Sequence, residues 1–124
     1  MKTDLKEIRE SLVAQFQEFL PPLKVRKSGY ECYELSGTIK AMQGKQEVDG
    51  FYFASVVPKP KDIRLYFFPI YTHVAEYGPL SDELKKCLKG KSCFHIKNLS
   101  DQMEVEIKGM IQKGIDLYIR DGLI

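Results

Sequence analysis

Two segments rich in aromatic and β-branched residues constrain the fold of this 124-residue chain more than any other feature. The first, FYFASVV, covers residues 51 to 57, and the second, IRLYFF, covers residues 63 to 68. Between them lies the proline-containing segment PKPKD. Such residues are favoured in strands, and two strand-like segments joined by a short turn are typical of a hairpin. The sequence therefore predicts an antiparallel hairpin with a five-residue turn.

The predicted hairpin is apolar on both faces. If Val57 pairs with Ile63, alternation of side chains divides the hairpin into two sets. The first set is Phe51, Phe53, Ser55, Val57, Ile63, Leu65 and Phe67. The second set is Tyr52, Ala54, Val56, Arg64, Tyr66 and Phe68. A sheet covered on one side usually has a polar outer face, so the second face is expected either to form a pocket or dimer interface or to be filled by residues 69 to 89.

Two long amphipathic helices are predicted at the ends of the chain. Apolar residues at spacings of three and four indicate a helix over residues 4 to 20, with Thr3 as its N-cap and Pro21-Pro22 at its end. The same pattern indicates a helix from Ser100 to Asp121, which Gly122 ends.

Shorter elements are expected between these helices. A short helix is predicted from Ser81 to Lys89, with Gly90 at its C′ position, after a loop over residues 69 to 79. Strands are predicted over residues 30 to 35 and 38 to 42. No parallel βαβ alternation occurs, so the fold class expected is α+β. We expect residues 1 to 124 to form one domain, in which an antiparallel sheet of about five strands has both terminal helices on one face, with the short helix before the last strand.

Composition excludes several functional classes. The hydrophobic share is 44%, which is typical of a globular protein. Nineteen basic and seventeen acidic residues leave a net charge of only +2, which argues against nucleic-acid binding. No segment approaches the roughly 18 apolar residues of a membrane span, and the N-terminus has no apolar signal segment. We expect a cytoplasmic protein with neither a nucleic-acid nor a membrane partner.

The segment KGKSCFHIK, residues 89 to 97, places a thiol and an imidazole two positions apart in a predicted strand. Phe94 and Ile96 point to the core, so Cys93 and His95 share the opposite face. Side chains at this spacing are about 7 Å apart, too far for a direct hydrogen bond. A zinc site that included Cys87 would lack a fourth ligand and the paired spacing of structural zinc modules. The sequence therefore predicts no metal, no cofactor and no catalytic residues.

The hypothesis that follows is a non-enzymatic domain that binds a small ligand or a protein partner through the second face, with a homodimer as one arrangement. The residues expected to bind the ligand are Tyr52, Arg64, Tyr66, Phe68, His73, Cys93 and His95. An alternative is a thiol-dependent enzyme centred on Cys93.

The chain resembles the YdhG-like family of small uncharacterised proteins. The resemblance rests on FYFASVV…IRLYFF, on LSDELKKCLKGKSCFHI and on the closing amphipathic helix. Its most specific element is Lys89-Gly90 followed by a short strand with a central aromatic, here Phe94. It implies a frataxin-like fold over roughly residues 25 to 120. It also implies, as a different function, an iron-binding or iron-chaperone protein that uses acidic residues such as Asp4, Glu7 and Glu10.

Overall fold

A computed structural model describes residues 1 to 124, which form a six-stranded antiparallel sheet and four helices. The helices are α1 (Leu5–Gln17), α2 (Pro69–Thr72), α3 (Asp82–Cys87) and α4 (Asp101–Arg120), and a 3-10 turn follows α2 at Val74–Glu76. The strands are β1 (Lys24–Ser28), β2 (Tyr33–Ser36), β3 (Ala41–Gln43), β4 (Gln46–Val48), β5 (Tyr52–Pro58), β6 (Ile63–Phe67), β7 (Leu88–Lys89) and β8 (Cys93–Ile96). The main sheet has the order β1-β2-β5-β6-β8-β7, and β3 pairs with β4 in a separate two-stranded sheet. The predicted α+β class is confirmed, with a slightly larger sheet than expected.

The core lies between one face of the main sheet and the helices α1 and α4. A cluster of 24 buried apolar residues fills this layer. At its centre the Phe53 ring packs edge-to-face against Phe16 of α1, at 6.3 Å between centroids, and against Tyr118 of α4, at 5.2 Å. Such edge-to-face pairs are a favourable aromatic geometry. Phe53 therefore joins both terminal helices to β5.

The hairpin register differs from the prediction by one residue. Pro58, not Val57, lies opposite Ile63. The Lys59 amide donates a hydrogen bond to the Asp62 carbonyl at 2.8 Å, which closes a turn of four residues instead of five. A shift of one residue exchanges the two faces of a strand, so Val57 lies on the second face.

A β-bulge in β5 also changes which of its side chains face the core. Ala54 lies opposite Leu35 and Tyr52 lies opposite Ser36, so Phe53 has no partner on β2. A bulge places two successive side chains on one side of the sheet. Phe53 and Ala54 are both fully buried, and Val56 joins them on the core face, contrary to the predicted assignment of Ala54 and Val56.

Several predicted element boundaries are wrong. The α3 helix ends at Cys87, and the next two residues form the edge strand β7. Gly90 therefore lies in the turn between β7 and β8, with φ +75°, and does not end a helix. Residues 69 to 79 contain α2 and the 3-10 turn rather than a loop, because Phe68 and Pro69 carbonyls accept hydrogen bonds from the amides of Thr72 and His73.

The two long helices begin and end close to their predicted positions. Asp4, rather than Thr3, caps α1, because its carboxylate accepts from the Lys6 amide at 2.9 Å. Ser100 caps α4 as predicted by accepting from the Met103 amide. None of the four helices combines the length and hydropathy that crossing a membrane requires.

Candidate functional site

One face of the main sheet lies opposite α1 and α4, and we call it the open face. Along β5, β6 and β8 the strand register places eight side chains on it: Tyr52, Ser55, Val57, Arg64, Tyr66, Phe68, Cys93 and His95. Of these only Ser55 is buried, and the other seven are half-buried. Six of the seven residues expected to bind a ligand are therefore brought together on this face.

The remaining predicted residue, His73, lies elsewhere. Its Nδ1 atom is 2.8 Å from the Thr72 hydroxyl, and its Nε2 atom forms an ion-pair contact with Asp121 beyond the end of α4. Its ring packs against Tyr118, at 5.9 Å between centroids. His73 thus joins residues 69 to 76 to α4 and makes no hydrogen bond or ion pair with the charged residues of the open face.

Asp62 links Arg64 and His95 at the turn end of the open face, whereas Glu34 on the same face pairs with Arg26 instead. The Arg64 Nε atom donates to Asp62 Oδ1 at 3.3 Å, and His95 Nδ1 lies 3.6 Å from Asp62 Oδ2. Asp62 is only 6% exposed, so its carboxylate is held between these two partners. Sequence reasoning assigned Asp62 to the turn and missed this role. Its position two residues before Arg64, on the same side of an extended strand, is the signal that could have revealed it.

Tyr66 interacts with both Arg64 and Cys93. Burial lowers the pKa of the Arg64 guanidinium, but hydrogen bonding to Asp62 and Tyr66 outweighs burial and raises this pKa overall. Burial raises the pKa of the Cys93 thiol, and the opposing effects of Tyr66 and Arg64 only partly offset it. Cys93 therefore carries less thiolate at neutral pH than a free cysteine, which is the opposite of an activated nucleophile.

Tyr52 provides a neutral polar group at the other end of the face. Its hydroxyl and the Ser55 hydroxyl are 2.6 Å apart, and burial raises the pKa of Tyr52 to about 12. The Tyr118 hydroxyl donates to the Tyr52 carbonyl at 2.6 Å, which anchors this residue to α4. The phenol is therefore an uncharged hydrogen-bonding group at neutral pH.

The concave part of this region lies at the turn end of the hairpin. A cavity of about 460 Å³ has Asp62, Glu83, Lys86, Cys87, Lys89, His95, Lys97 and Met103 among its lining residues. A second cavity of about 310 Å³ is lined by Lys59, Pro60, Lys61, Asp62, Arg64 and Lys97. Because both are lined by Asp62 and Lys97, they adjoin, and we call them together the basic cleft. Tyr52, Tyr66, Phe68 and Cys93 line neither cavity, so the cleft takes in only Arg64 and His95 of the predicted ligand-binding residues.

The acidic and thiol residues considered for metal binding are not grouped. The structure contains no cluster of three or more His, Cys, Asp or Glu side chains that could hold a metal ion. Asp4 instead caps α1, while Glu7 and Glu10 are exposed on that helix.

Comparisons with protein-family models, with curated proteins and with solved structures found no significant match. The fold and the site define an α+β domain with one open sheet face and an adjoining basic cleft. The resemblance to the YdhG-like family stays a prediction.

Proposed function

We propose that this protein is a non-enzymatic domain that binds a small ligand at the turn end of its open face. The observation that carries the proposal is the basic cleft, where Arg64 and His95 of the open face line two adjoining cavities. Small-molecule sites are concave and have volumes of about 300 to 1,000 Å³. The larger cavity, at about 460 Å³, lies within this range.

The polar groups of the cleft support binding rather than catalysis. The Asp62 carboxylate lies 3.3 Å from Arg64 Nε and 3.6 Å from His95 Nδ1, and this orients both side chains. Burial raises the pKa of the Cys93 thiol, so less thiolate is present beside them than in a free cysteine. The arrangement supplies oriented hydrogen-bond donors, which hold a ligand in place without transforming it.

The proposal is tested by nuclear magnetic resonance with isotope-labelled protein and a fragment collection that contains anionic, neutral and cationic compounds. We expect fragments to shift the backbone amide signals of His95 and Lys97, and the Arg64→Gln variant to weaken their binding. The control is Lys45→Gln, because Lys45 is exposed in the turn between β3 and β4 and forms no ion pair. Fragments that bind only elsewhere on the chain would contradict the proposal.

A protein partner at the centre of the open face is a second candidate. Tyr52, Tyr66 and Phe68 are half-buried there and line neither cavity of the cleft, and aromatic residues are frequent at interface hot spots. A homodimer would be seen as a concentration-dependent mass in sedimentation experiments, and Tyr66→Ala would abolish it. A monomeric mass at every concentration, for both the unmodified protein and the Tyr66→Ala variant, would exclude the homodimer.

Iron binding and thiol-dependent catalysis stay predictions. Iron binding would be detected in an anaerobic titration with ferrous iron, but no cluster of metal-binding side chains supports it. Thiol-dependent catalysis requires a reactive Cys93, and the raised pKa of this thiol opposes that role.

A further inference from the structure

Positive charge accumulates around the basic cleft. Five exposed lysines line it: Lys59, Lys61, Lys86, Lys89 and Lys97. None of them takes part in an ion pair. The chain as a whole has a net charge of only +2, so these lysines represent a local concentration of charge.

The two carboxylates of the cleft leave this charge largely uncompensated. Asp62 is paired with Arg64 and His95. The Glu83 carboxylate accepts a hydrogen bond from the Ser100 hydroxyl at 3.3 Å. Five lysines and one arginine against these two carboxylates leave an excess of four positive charges, so the cleft attracts anions.

The larger cavity occupies a gap at the edge of the sheet. The strand β7 pairs only with Cys93 and Phe94 of β8, and the next backbone pairing along that edge is the bridge between Lys2 and Leu99. Residues 95 to 98 therefore have no strand partner on this side. The cavity lies beside them, and α3 supplies Lys86 and Cys87 to its wall.

The same cavity has an apolar side. The exposed Met1 and the half-buried Cys87 contribute sulfur-containing side chains to its lining, while Met103, also in the lining, is only 3% exposed. Such side chains are polarizable and pack against varied apolar groups. A ligand that suits this cavity has one strongly anionic end and one apolar end.

Resting on the proposed function, we propose that the basic cleft binds a small organic phosphate. Lys86, Lys89 and Lys97 hold the phosphoryl group, and the organic part lies against Met1 and Cys87. A phosphate monoester carries close to two negative charges and several acceptor oxygens, so it matches a group of ammonium donors better than a carboxylate does.

A nucleic acid matches the cleft less well. Single-stranded nucleic acids bind where aromatic side chains provide stacking surfaces along a basic groove. No Phe or Tyr side chain lines either cavity of the cleft. The volume of about 460 Å³ suits one small molecule rather than several nucleotides.

The test is isothermal titration calorimetry with four probes at one low ionic strength: phenyl phosphate, inorganic phosphate, benzoate and a ten-nucleotide oligothymidylate. We expect saturable one-site binding of phenyl phosphate, about tenfold tighter than benzoate and several-fold tighter than inorganic phosphate. Lys86→Ala and Lys97→Ala each weaken phenyl phosphate binding about tenfold, because each removes a charge-assisted donor. The matched control, Lys45→Ala, leaves the affinity within twofold.

The outcomes separate this inference from the proposed function. If neutral or cationic fragments bind at His95 and Lys97 while phenyl phosphate does not, the ligand class is wrong and the binding site stands. If no fragment and no phosphate binds there, both fail. Equal losses of phenyl phosphate affinity in Lys97→Ala and Lys45→Ala would show only nonspecific charge attraction. Tight binding of oligothymidylate without binding of phenyl phosphate would indicate a nucleic-acid surface. The three lysines are exposed, and circular dichroism verifies that the variants fold.

Discussion

At the scale of single residues, Asp62 determines how the open face presents its charges. A carboxylate that is 6% exposed accepts a hydrogen bond from Arg64 and lies 3.6 Å from His95, and so positions both side chains at the entrance of the cleft. A buried carboxylate without partners would be strongly unfavourable. The orientations of these three residues therefore depend on one another.

Two glycines inside α4 provide a matched test of packing. A Cβ atom at Gly114 would lie 3.0 to 3.1 Å from Pro69 Cγ, Phe53 Cζ and the Tyr77 hydroxyl, whereas a Cβ atom at Gly109 meets nothing within 4 Å. Alanine gains roughly 1 kcal/mol of helix propensity over glycine, and overpacking costs about 1 to 3 kcal/mol. We expect Gly109→Ala to raise the free energy of unfolding by up to about 1 kcal/mol and Gly114→Ala to lower it by about 1 kcal/mol, measured by urea denaturation. Equal stabilisation by both would show that the three neighbours of Gly114 move easily.

Cys93 is predicted to react slowly. Burial raises the pKa of its thiol, so its thiolate fraction at pH 7.5 is lower than that of a free cysteine, whose pKa is about 8.5. Alkylation by iodoacetamide, followed by peptide mass spectrometry, should be slower at Cys93 than for glutathione. Tyr66→Phe should slow it further, because the Tyr66 hydroxyl lowers the pKa of this thiol. Alkylation faster than that of glutathione would favour the thiol-dependent enzyme instead.

At the scale of secondary-structure elements, the clearest sequence patterns were predicted well and the edges of the sheet were not. Both long helices and the central hairpin followed from their apolar periodicity. The edge strand β1, with the sequence KVRKS, has only one partly buried side chain and therefore shows no apolar alternation. The other edge strand, β7, is two residues long. The periodicity of apolar residues in the sequence therefore detects neither of these strands.

Two neighbouring valines test the register of the hairpin. Val56 is fully buried on the core face, and Val57 is half-buried on the open face. Fully burying a valine side chain contributes about 1.5 to 3 kcal/mol. We expect Val56→Ala to lower the free energy of unfolding by about 2 kcal/mol and Val57→Ala to lower it by less than about 1 kcal/mol, measured by urea denaturation. The reverse order would support the register in which Val57 pairs with Ile63.

At the scale of the whole molecule, the site could be predicted only in part. Alternation along β6 and β8 placed five side chains on one face, because strand geometry is local, whereas Tyr52 of β5 lies on that face only because the bulge offsets the register shift. The cleft instead requires α3, the hairpin turn and the end of β8 to meet. Contacts between distant segments, such as His73 with Asp121, depend on the tertiary fold, and one sequence contains no direct signal for them.

Ion pairs near the C-terminus connect α4 to residues 73 to 76 and make the stability of the fold depend on pH. Hydrogen bonding to His73 and Arg120 lowers the pKa of Asp121, and hydrogen bonding to Arg120 lowers the pKa of Glu76. A carboxylate whose pKa is lower in the folded state stabilises it above the unfolded pKa, about 4, and this contribution is lost as the pH falls through the folded value.

Asp121→Asn should therefore flatten the acid side of the stability profile. We expect the free energy of unfolding to fall less steeply between about pH 5 and pH 3 in this variant than in the unmodified chain, because one carboxylate with a lowered pKa is missing. Urea denaturation at a series of pH values measures the slope. Asp116→Asn is the control, since Asp116 is exposed on α4 and forms no ion pair. An identical change in slope for both variants would contradict a specific role of Asp121.

The two outer strands of the sheet have a consequence for association between copies of the chain. The strand β1 carries Lys24, Arg26 and Lys27, while β7 ends in Lys89 and is too short to offer a continuous backbone edge. Stacking of sheets edge to edge, as in fibril growth, would set like charges against each other at either end. The basic residues of these two outer strands therefore oppose amyloid-like assembly.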